Sequence, residues 1–283
     1  MLFKLKDIMW AMAIVTTLLL TASNSEAKYS GVTPDSTIDP TVLTIDEPKF
    51  LGSKIDPELE LIDGEGNEFK FKQLLGKPTV FLFSYYKCDG ACPLINRDLK
   101  KHLSNITRIK AGEYYNVVTV SFDANDDMMS LMQFEKEIGL PDELKKGWKT
   151  TLLKNKEDID KLAKSIGFNF FWSKSDKTFM HPSVYMTLSP EGRVVRYLYS
   201  AIIDEKDLEL AIVDANDGKG GLNGITDFTD IFLAACFSYN FKEGKYTINY
   251  PIFISGASLF IGVSLIALSL TVYKNKGTKE VKS

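Results

Sequence analysis

The sequence predicts a mixed α/β domain in which helices cover a central sheet. Three observations indicate this fold class: strand patterns alternate with amphipathic helix patterns, one strand is a continuous apolar run, and a turn cluster at residues 189–192 closes an antiparallel hairpin. The chain has 283 residues, of which 45% are hydrophobic and 25% charged. This length and composition permit a sizeable core and exclude wholesale disorder.

The first strands and helices have the strongest patterns. Residues 78–86 form a nearly continuous apolar and aromatic run, which is typical of a strand buried on both faces. From Cys92 onward, apolar residues recur at spacings of three and four, which indicates an amphipathic helix lying on the sheet. A strand at residues 116–123 and a helix beginning near Met128 repeat this order.

The pattern continues more weakly through the rest of the domain. We expect a short strand at residues 151–153, a short helix at 157–166, an antiparallel strand pair at 183–188 and 193–199, and a helix at 204–216. Together these elements make an α/β sandwich of βαβ units with an antiparallel hairpin.

The N-terminal segment is expected to direct secretion. Residues 1–27 combine two early lysines, a short apolar run and small residues before a cleavage point, as in a secretory signal peptide. An uncleaved anchor is the alternative, but the apolar run is shorter than the roughly 20 residues that cross a bilayer. Residues 28–49 have the composition of an extended linker, and the globular domain is expected to span residues 50–216.

The C-terminal segment is expected to anchor the protein in a membrane. Residues 252–273 carry no charge until the flanking lysines and are long enough to form a transmembrane helix, with a buried core helix as the alternative. The lysine-rich tail at residues 274–283 is expected in the cytoplasm by the positive-inside tendency. The domain and a membrane-proximal extension at residues 217–251 would then lie outside.

The scarce residue types exclude several classes of function. The formal net charge is −3, so the chain lacks the positive charge of a nucleic-acid-binding protein, and no nucleic-acid partner is expected. Three cysteines and two histidines are too few for a disulfide framework or a multi-ligand zinc protein. Phosphate-binding loops, GxSxG elbows and HExxH motifs are absent from the sequence.

Cys88 and Cys92 are the strongest candidates for chemistry. They lie where the central strand ends and a helix begins, and residues four apart share one face of a helix. The helix N-terminus favours thiolate over thiol, and a thiolate pair is a soft donor set that selects Cu(I). Burial as small apolar residues and an inert structural disulfide are the alternatives.

A histidine could complete a metal site and extend it towards Cu(II). His181 precedes a strand in a loop that could reach over the edge of the sheet with the cysteines, whereas His102 is expected at the solvated face of a helix. Cys236 lies among apolar residues and is expected to be buried outside the site. Helical spacing favours core packing for Met128 and Met132 over a copper relay.

Three carboxylates follow the second strand. Asp123, Asp126 and Asp127 precede the helix that begins near Met128 and are expected to cap it.

Three segments of the sequence resemble the SCO/SenC family. Residues 81–93, FLFSYYKCDGACP, contain that family's CxxxCP motif; residues 118–123 are similar to its next strand; and residues 181–197 are similar to its histidine segment and closing hairpin. The resemblance covers roughly residues 51–215, in the right order. The sequence departs from many members in having Asp89 after the first cysteine instead of proline, and a proline after the histidine.

The resemblance implies a thioredoxin-like, membrane-tethered, copper-binding protein that assists in building the CuA centre of cytochrome c oxidase. Cys88 and Cys92 would be the thiolate ligands and His181 the imidazole ligand of one copper ion, Cu(I) or Cu(II). The implied acceptor is subunit II of the oxidase or another cuproprotein. A C-terminal anchor resembles a bacterial subgroup, which implies the inner membrane with the domain on the periplasmic side.

Two other functions remain open at this point. The same cysteines, Cys88 and Cys92, would be the catalytic residues of an envelope thiol–disulfide oxidoreductase, in which His181 has no necessary role. An assembly scaffold would keep the fold and use the extension for docking. Loss of Cys88 would be harmless to such a scaffold.

Overall fold

The computed structural model describes residues 43–88, 91–216, 236–240 and 244–280, with side chains as far as residue 269 except those of residues 91 and 92. The predicted signal peptide, most of the predicted linker and residues 217–235 lie outside these ranges, so their assignments stay predictions. The described helices are α1 (Glu47–Phe50), α2 (Ala91–Asn105), α3 (Met128–Ile138), α4 (Asp142–Lys145), α5 (Asp158–Ser165), α6 (Glu205–Asn216) and α7 (Tyr250–Glu280). The described strands are β1 (Glu60–Asp63), β2 (Glu68–Lys70), β3 (Thr79–Ser84), β4 (Asn116–Ser121), β5 (Trp148–Leu153), β6 (Phe171–Ser173), β7 (Thr178–Met180), β8 (Val184–Leu188), β9 (Val194–Tyr199), β10 (Phe237–Asn240) and β11 (Lys245–Ile248).

A seven-stranded mixed sheet organises the domain, in the order β2-β1-β5-β4-β3-β8-β9. Strands β3, β4 and β5 are parallel, whereas β8 pairs antiparallel with both β3 and β9. Every residue of β3 is buried, as its continuous apolar run predicts for a strand covered on both faces. The sheet and its helices confirm the predicted mixed α/β class.

The two faces of the sheet bury two separate apolar clusters. Because successive residues of a strand point to opposite faces, Val80 and Leu82 of β3 join a mostly aliphatic cluster with α2 and α6, whereas Phe81 and Phe83 join a second cluster with more aromatic rings, which we name the aromatic cluster. The aromatic cluster continues past the end of β4 to Phe122. This side of the domain also holds Cys88.

The sequence does not predict two of the hairpins. Strand β1 pairs with β2 and adds to the sheet beside β5, and β6 pairs with β7 as a separate two-stranded ribbon. Strands of three or four residues are too short to show a periodicity of two. The β6–β7 ribbon is important for the site, because His181 follows directly after β7.

Packing at the N-terminal end begins before residue 50. Ile45 and Glu47, within the stretch expected to be linker, are buried against the domain. The backbone amide of Ile45 donates a hydrogen bond to the hydroxyl of Tyr199 on β9, at 3.1 Å. These contacts tie the chain before α1 to the edge of the sheet.

The C-terminal extension contains a hairpin fixed to α6. The backbone amide of Tyr246 on β11 donates to Asp207 Oδ1 at 2.8 Å, and its hydroxyl donates to Asp214 Oδ2 at 2.8 Å. One residue, Asn249, separates β11 from α7. Within the described part of the chain, one helical stretch, Tyr250–Ser269, is long and apolar enough to cross a membrane by its length and composition.

Candidate metal centre

The end of β3 is held rigidly where the chain approaches Cys88. The hydroxyl of Tyr86 donates to the Thr151 carbonyl at 2.6 Å and lies 3.2 Å from the Thr119 carbonyl, so it bridges β4 and β5. The ring of Tyr86 packs against Phe134 of α3 with centroids 4.5 Å apart. Two residues later, Cys88 is 8% exposed and packs in the aromatic cluster.

The buried carboxylate of Asp126 accepts a hydrogen bond from the backbone that leads to Cys88. Its Oδ2 accepts a hydrogen bond from the Tyr86 amide at 2.7 Å and another from the Ser121 hydroxyl at 2.5 Å, and its Oδ1 accepts from Ser130 at 3.3 Å. Burial raises the pKa of the Asp126 carboxyl, and these hydrogen bonds act in the opposite direction. The predicted capping role of Asp126 is wrong: the N-cap of α3 is Asp127, which accepts from the Ser130 amide, whereas Asp126 is used by the backbone at Tyr86.

Replacing Asp126 by alanine is expected to lower the free energy of unfolding by about 1–3 kcal/mol, because the buried Tyr86 amide loses its acceptor. Asp126→Asn keeps one carbonyl oxygen at the site, so its free energy of unfolding is expected to stay within about 1 kcal/mol of the wild-type value. Urea unfolding of a soluble form that ends at Asn249 measures both. Equal losses in the two variants would contradict the assignment of Asp126 as an acceptor for the backbone.

His181 lies on the same side of the sheet as Cys88 and is brought there by the ribbon β6–β7. Ribbon β6–β7 crosses the carboxyl ends of β3 and β4, where the Tyr85 hydroxyl is 2.6 Å from Thr178 Oγ1. His181 follows β7 directly. Its ring centroid lies 5.1 Å from that of Phe122 and 5.8 Å from that of Phe168. The imidazole is therefore held in an aromatic pocket, with little freedom to turn.

The hydrogen bond of the imidazole defines its tautomer. Nδ1 of His181 lies 2.9 Å from the Pro182 carbonyl oxygen. A carbonyl only accepts, so Nδ1 carries the proton and Nε2 has the lone pair that a metal would bind. Fixing one ring nitrogen in this way is the usual arrangement for a histidine ligand.

The electrostatics of His181 favour the neutral, ligating form. Burial lowers the pKa of the imidazole below its ordinary value of 6.5, while the hydrogen bond to Pro182 and the charge of Cys88 act in the opposite direction. Cys88 packs in the same aromatic cluster whose Phe122 and Phe168 rings hold this imidazole, so its charge acts on the ring. The structure thus places Cys88 and His181 at the same edge of the sheet, and their role as copper ligands stays a prediction.

The structure describes Cys92 by its backbone alone. It is the second residue of α2, and its side chain lies outside the described residues, so its role as a ligand stays a prediction. Among the side chains that are described, no three from His, Cys, Asp and Glu are close enough to hold a metal. One turn after Cys92, the buried Asn96 donates to Ser84 Oγ at 3.2 Å and accepts from Thr119 Oγ1 at 3.1 Å. These bonds fix α2 to the sheet directly below the motif.

The donor chemistry suits a soft metal ion. A thiolate and a neutral imidazole are ligands for copper in either of its common oxidation states, and the aromatic walls exclude water from one side. Sequence reasoning missed Phe122 as a supporting residue and gave Asp126 only a capping role. Their position at the carboxyl end of a buried strand, beside the end of β3, was the available signal.

The other candidates lie away from the cysteine and histidine pair or differ from expectation. The expectation of a solvated His102 is wrong: its side chain is 16% exposed, because α6 packs over it and brings Glu205 within 3.7 Å. Cys236 is buried, as expected. Met132 is 58% exposed, so its expected core packing is wrong, because Leu131 and Phe134 supply the buried face of α3.

The fold and the site define a class of protein: a thioredoxin-like α/β domain with a cysteine after its central strand and a histidine at the same edge of the sheet. The sequence profile of the SCO1/SenC family matches residues 49–212. Since that match spans more than half of the chain, the protein belongs to the SCO1/SenC family.

Three solved structures are similar to this chain. A protein from Aquifex aeolicus VF5, proposed to act in electron transfer, is 33% identical over 61% of this chain and 97% of its own, with a TM-score of 0.54. Copper-bound ScoI of Arabidopsis thaliana is 23% identical, over 55% of this chain and 94% of its own, with a TM-score of 0.46. Copper-bound yeast Sco1 is 21% identical, over 64% of this chain and 97% of its own, also with a TM-score of 0.46. No curated protein matched the sequence.

Proposed function

We propose that this protein binds one copper ion through Cys88, Cys92 and His181 and delivers it to the CuA site of cytochrome c oxidase, or prepares the thiols of that site. The acceptor would be subunit II of the oxidase or another cuproprotein. Membership of the SCO1/SenC family supports an assembly role. The observation that carries the proposal is that Cys88 and the imidazole of His181, from distant parts of the chain, share one aromatic cluster: Cys88 packs in it, and the His181 ring lies against its Phe122 and Phe168.

We further propose that α7 anchors the protein in the inner membrane of a bacterium. The length and apolar composition of Tyr250–Ser269 support this role, and the lysines after it favour a cytoplasmic tail. The copper domain would then lie in the periplasm. An extracytoplasmic position suits a protein whose cargo is destined for a respiratory enzyme.

The site is built for transfer as well as binding. Three protein donors leave copper with an open position, so an incoming ligand of the acceptor bonds before a thiolate of this chain departs. The aromatic pocket holds the His181 ring in place during the exchange. Cys88 and Cys92 also form the pair that would pass electrons to an oxidised acceptor, with one disulfide formed here for each disulfide reduced there.

Copper titration of the reduced protein tests the ligand set. The wild type is expected to bind one copper ion. Cys88→Ser, Cys92→Ser and His181→Ala are each expected to weaken binding by more than the roughly 10–100-fold that loss of an outer-shell partner costs. The His181→Ala effect should be larger for Cu(II), because imidazole suits that ion better than Cu(I).

Two matched controls come from the same chain. His102→Ala removes an imidazole from a partly buried position outside the site, and Cys236→Ser removes a thiol from a buried one; neither is expected to change copper binding. Unchanged Cu(II) affinity in His181→Ala would contradict the ligand set. If His181→Ala turns over a disulfide substrate as fast as the wild type does, the oxidoreductase function is favoured instead.

A further inference from the structure

The strand directions place Cys88, His181 and the loop after β9 at one end of the sheet. Strand β8 runs antiparallel to β3, and β9 antiparallel to β8, so β9 ends at the same edge as β3. Val184, three residues after His181, pairs with Tyr199, the last residue of β9. Ile202 follows in the loop at this edge. We name the end of the sheet defined by Cys88, His181 and Ile202 the metal edge.

Helix α7 begins at the metal edge. Tyr250, its first residue, shares a cavity of about 470 Å³ with Ile202 and with Lys206 and Leu210 of α6. The backbone before the helix is fixed, because the Asn249 amide donates to the Cys236 carbonyl at 2.8 Å. The membrane helix is therefore joined to the domain at a defined place.

The helix leaves the domain without packing along it. None of the Tyr250–Ser269 stretch is buried against the rest of the described chain. If this stretch crosses a bilayer, the headgroup layer lies at Tyr250. The surface of the domain that surrounds this residue then faces the lipid, and that surface belongs to the metal edge.

The metal edge also has the side chains of a membrane-interface surface. Ile202 is 51% exposed, and on β6 Phe171 and Trp172 are 40% and 49% exposed. Lys174 and Lys177, both exposed, lie in the turn that follows β6. Aromatic rings with neighbouring lysines are typical of protein surfaces at the headgroup layer, where lysine is attracted to anionic lipid.

We propose that the metal edge rests on the outer surface of the bilayer, with Phe171, Trp172 and Ile202 at the headgroup layer and the copper ligands just above it. This inference depends on the membrane anchoring proposed above and adds the orientation of the domain to it. Copper transfer would then take place next to the membrane surface.

Tryptophan quenching by brominated lipid tests the orientation. The full chain carrying Trp10→Phe is reconstituted into vesicles of phosphatidylethanolamine and phosphatidylglycerol, which leaves Trp148 and Trp172 as the fluorophores. Trp172 emission is expected to shift to shorter wavelength and to be quenched by brominated acyl chains. The further change Trp172→Phe should abolish the quenching, because Trp148 is buried in the domain.

A tryptophan at the opposite end of the sheet is the matched control. Glu113 is exposed in the loop that precedes β4, so Glu113→Trp combined with Trp172→Phe should give emission that brominated lipid does not quench. Vesicle flotation in the same samples tests anchoring separately. Protein that floats with Trp172 unquenched would overturn the orientation and leave the anchor intact, whereas protein that does not float would overturn both.

Discussion

Replacing Phe122 by alanine is expected to lower the free energy of unfolding by about 3–5 kcal/mol. The ring is 1% exposed and lies at the centre of the aromatic cluster, with centroids 4.9 Å from Phe170 and 5.5 Å from Phe179. Truncation leaves a cavity that the surrounding rings fill only in part. Urea unfolding of the soluble form that ends at Asn249 measures the loss.

The same substitution is expected to weaken copper binding. Phe122 touches the His181 ring directly, at a centroid separation of 5.1 Å, and its loss frees the imidazole to leave its ligating orientation. Mutation of a residue that orients a metal ligand typically lowers the affinity for the metal by about 10–100-fold. Copper titration in the folded state, well below the urea midpoint, separates this effect from stability.

Phe71→Ala is the control for Phe122→Ala. Phe71 is also 1% exposed and belongs to the same cluster, but it lies at the opposite end of the sheet, near Gly192. We expect a similar loss of stability with unchanged copper affinity. If both variants lose affinity equally, the effect of Phe122 comes from general loosening of the core and not from its contact with His181.

Glu47→Gln is expected to stabilise the protein at pH 8 and to have no effect near pH 4.5. Glu47 is 6% exposed, and its Oε2 has no hydrogen-bond partner among the described residues. Burial raises the pKa of this carboxyl from 4.5 to about 7, although the charge of Arg196 and a hydrogen bond with Tyr239 act in the opposite direction. Ionising Glu47 in the folded protein is therefore costly.

The sign of the pH dependence follows from the direction of this shift. Between pH 4.5 and about 7, the folded state keeps a proton on Glu47 that the unfolded state releases. Stability therefore falls as the pH rises through this window, by an amount on the order of 3 kcal/mol, and then levels off. Glutamine stays neutral, so the variant should lack this part of the pH dependence.

Urea midpoints of wild type and Glu47→Gln at pH 4.5, 6 and 8 measure the difference. Other titrating groups, including His181, are common to both proteins and cancel in the comparison. Glu113→Gln, at an exposed position, is the control and should change little at any of these pH values. A Glu47→Gln variant that is less stable than wild type at pH 8 would show that the ionised carboxylate is a favourable partner of Arg196.

The sequence predicted those parts of the fold that repeat over many residues. The buried run of β3, the amphipathic pattern of α2 and the alternating order of strands and helices indicate a mixed sheet without further information. The pair formed by Cys88 and His181 was also predictable. A strand-to-helix junction and a loop at a strand start meet at the same edge of an α/β sheet.

The remaining features depend on tertiary contacts that sequence patterns do not contain. The strands β6 and β7 have three residues each, and their pairing and the packing of Phe179 against Tyr85 and Phe122 define them. Asp126 and Asp127 are adjacent and chemically identical, yet one is buried under β3 and the other caps α3. His102 lies at the boundary of a polar helix face, and the position of α6 decided its burial.

The single residue between β11 and α7 limits how far the site can travel. A flexible tether of n residues lets a domain wander about 5–6 Å × √n, or roughly 25 Å for 20 residues. Here the β10–β11 hairpin is fixed to α6 and leads directly into α7, so the domain can move very little relative to the membrane helix. If α7 spans the bilayer as we propose, this protein meets its acceptor by lateral diffusion of the whole molecule, and each productive encounter depends on how the two are rotated about the membrane normal.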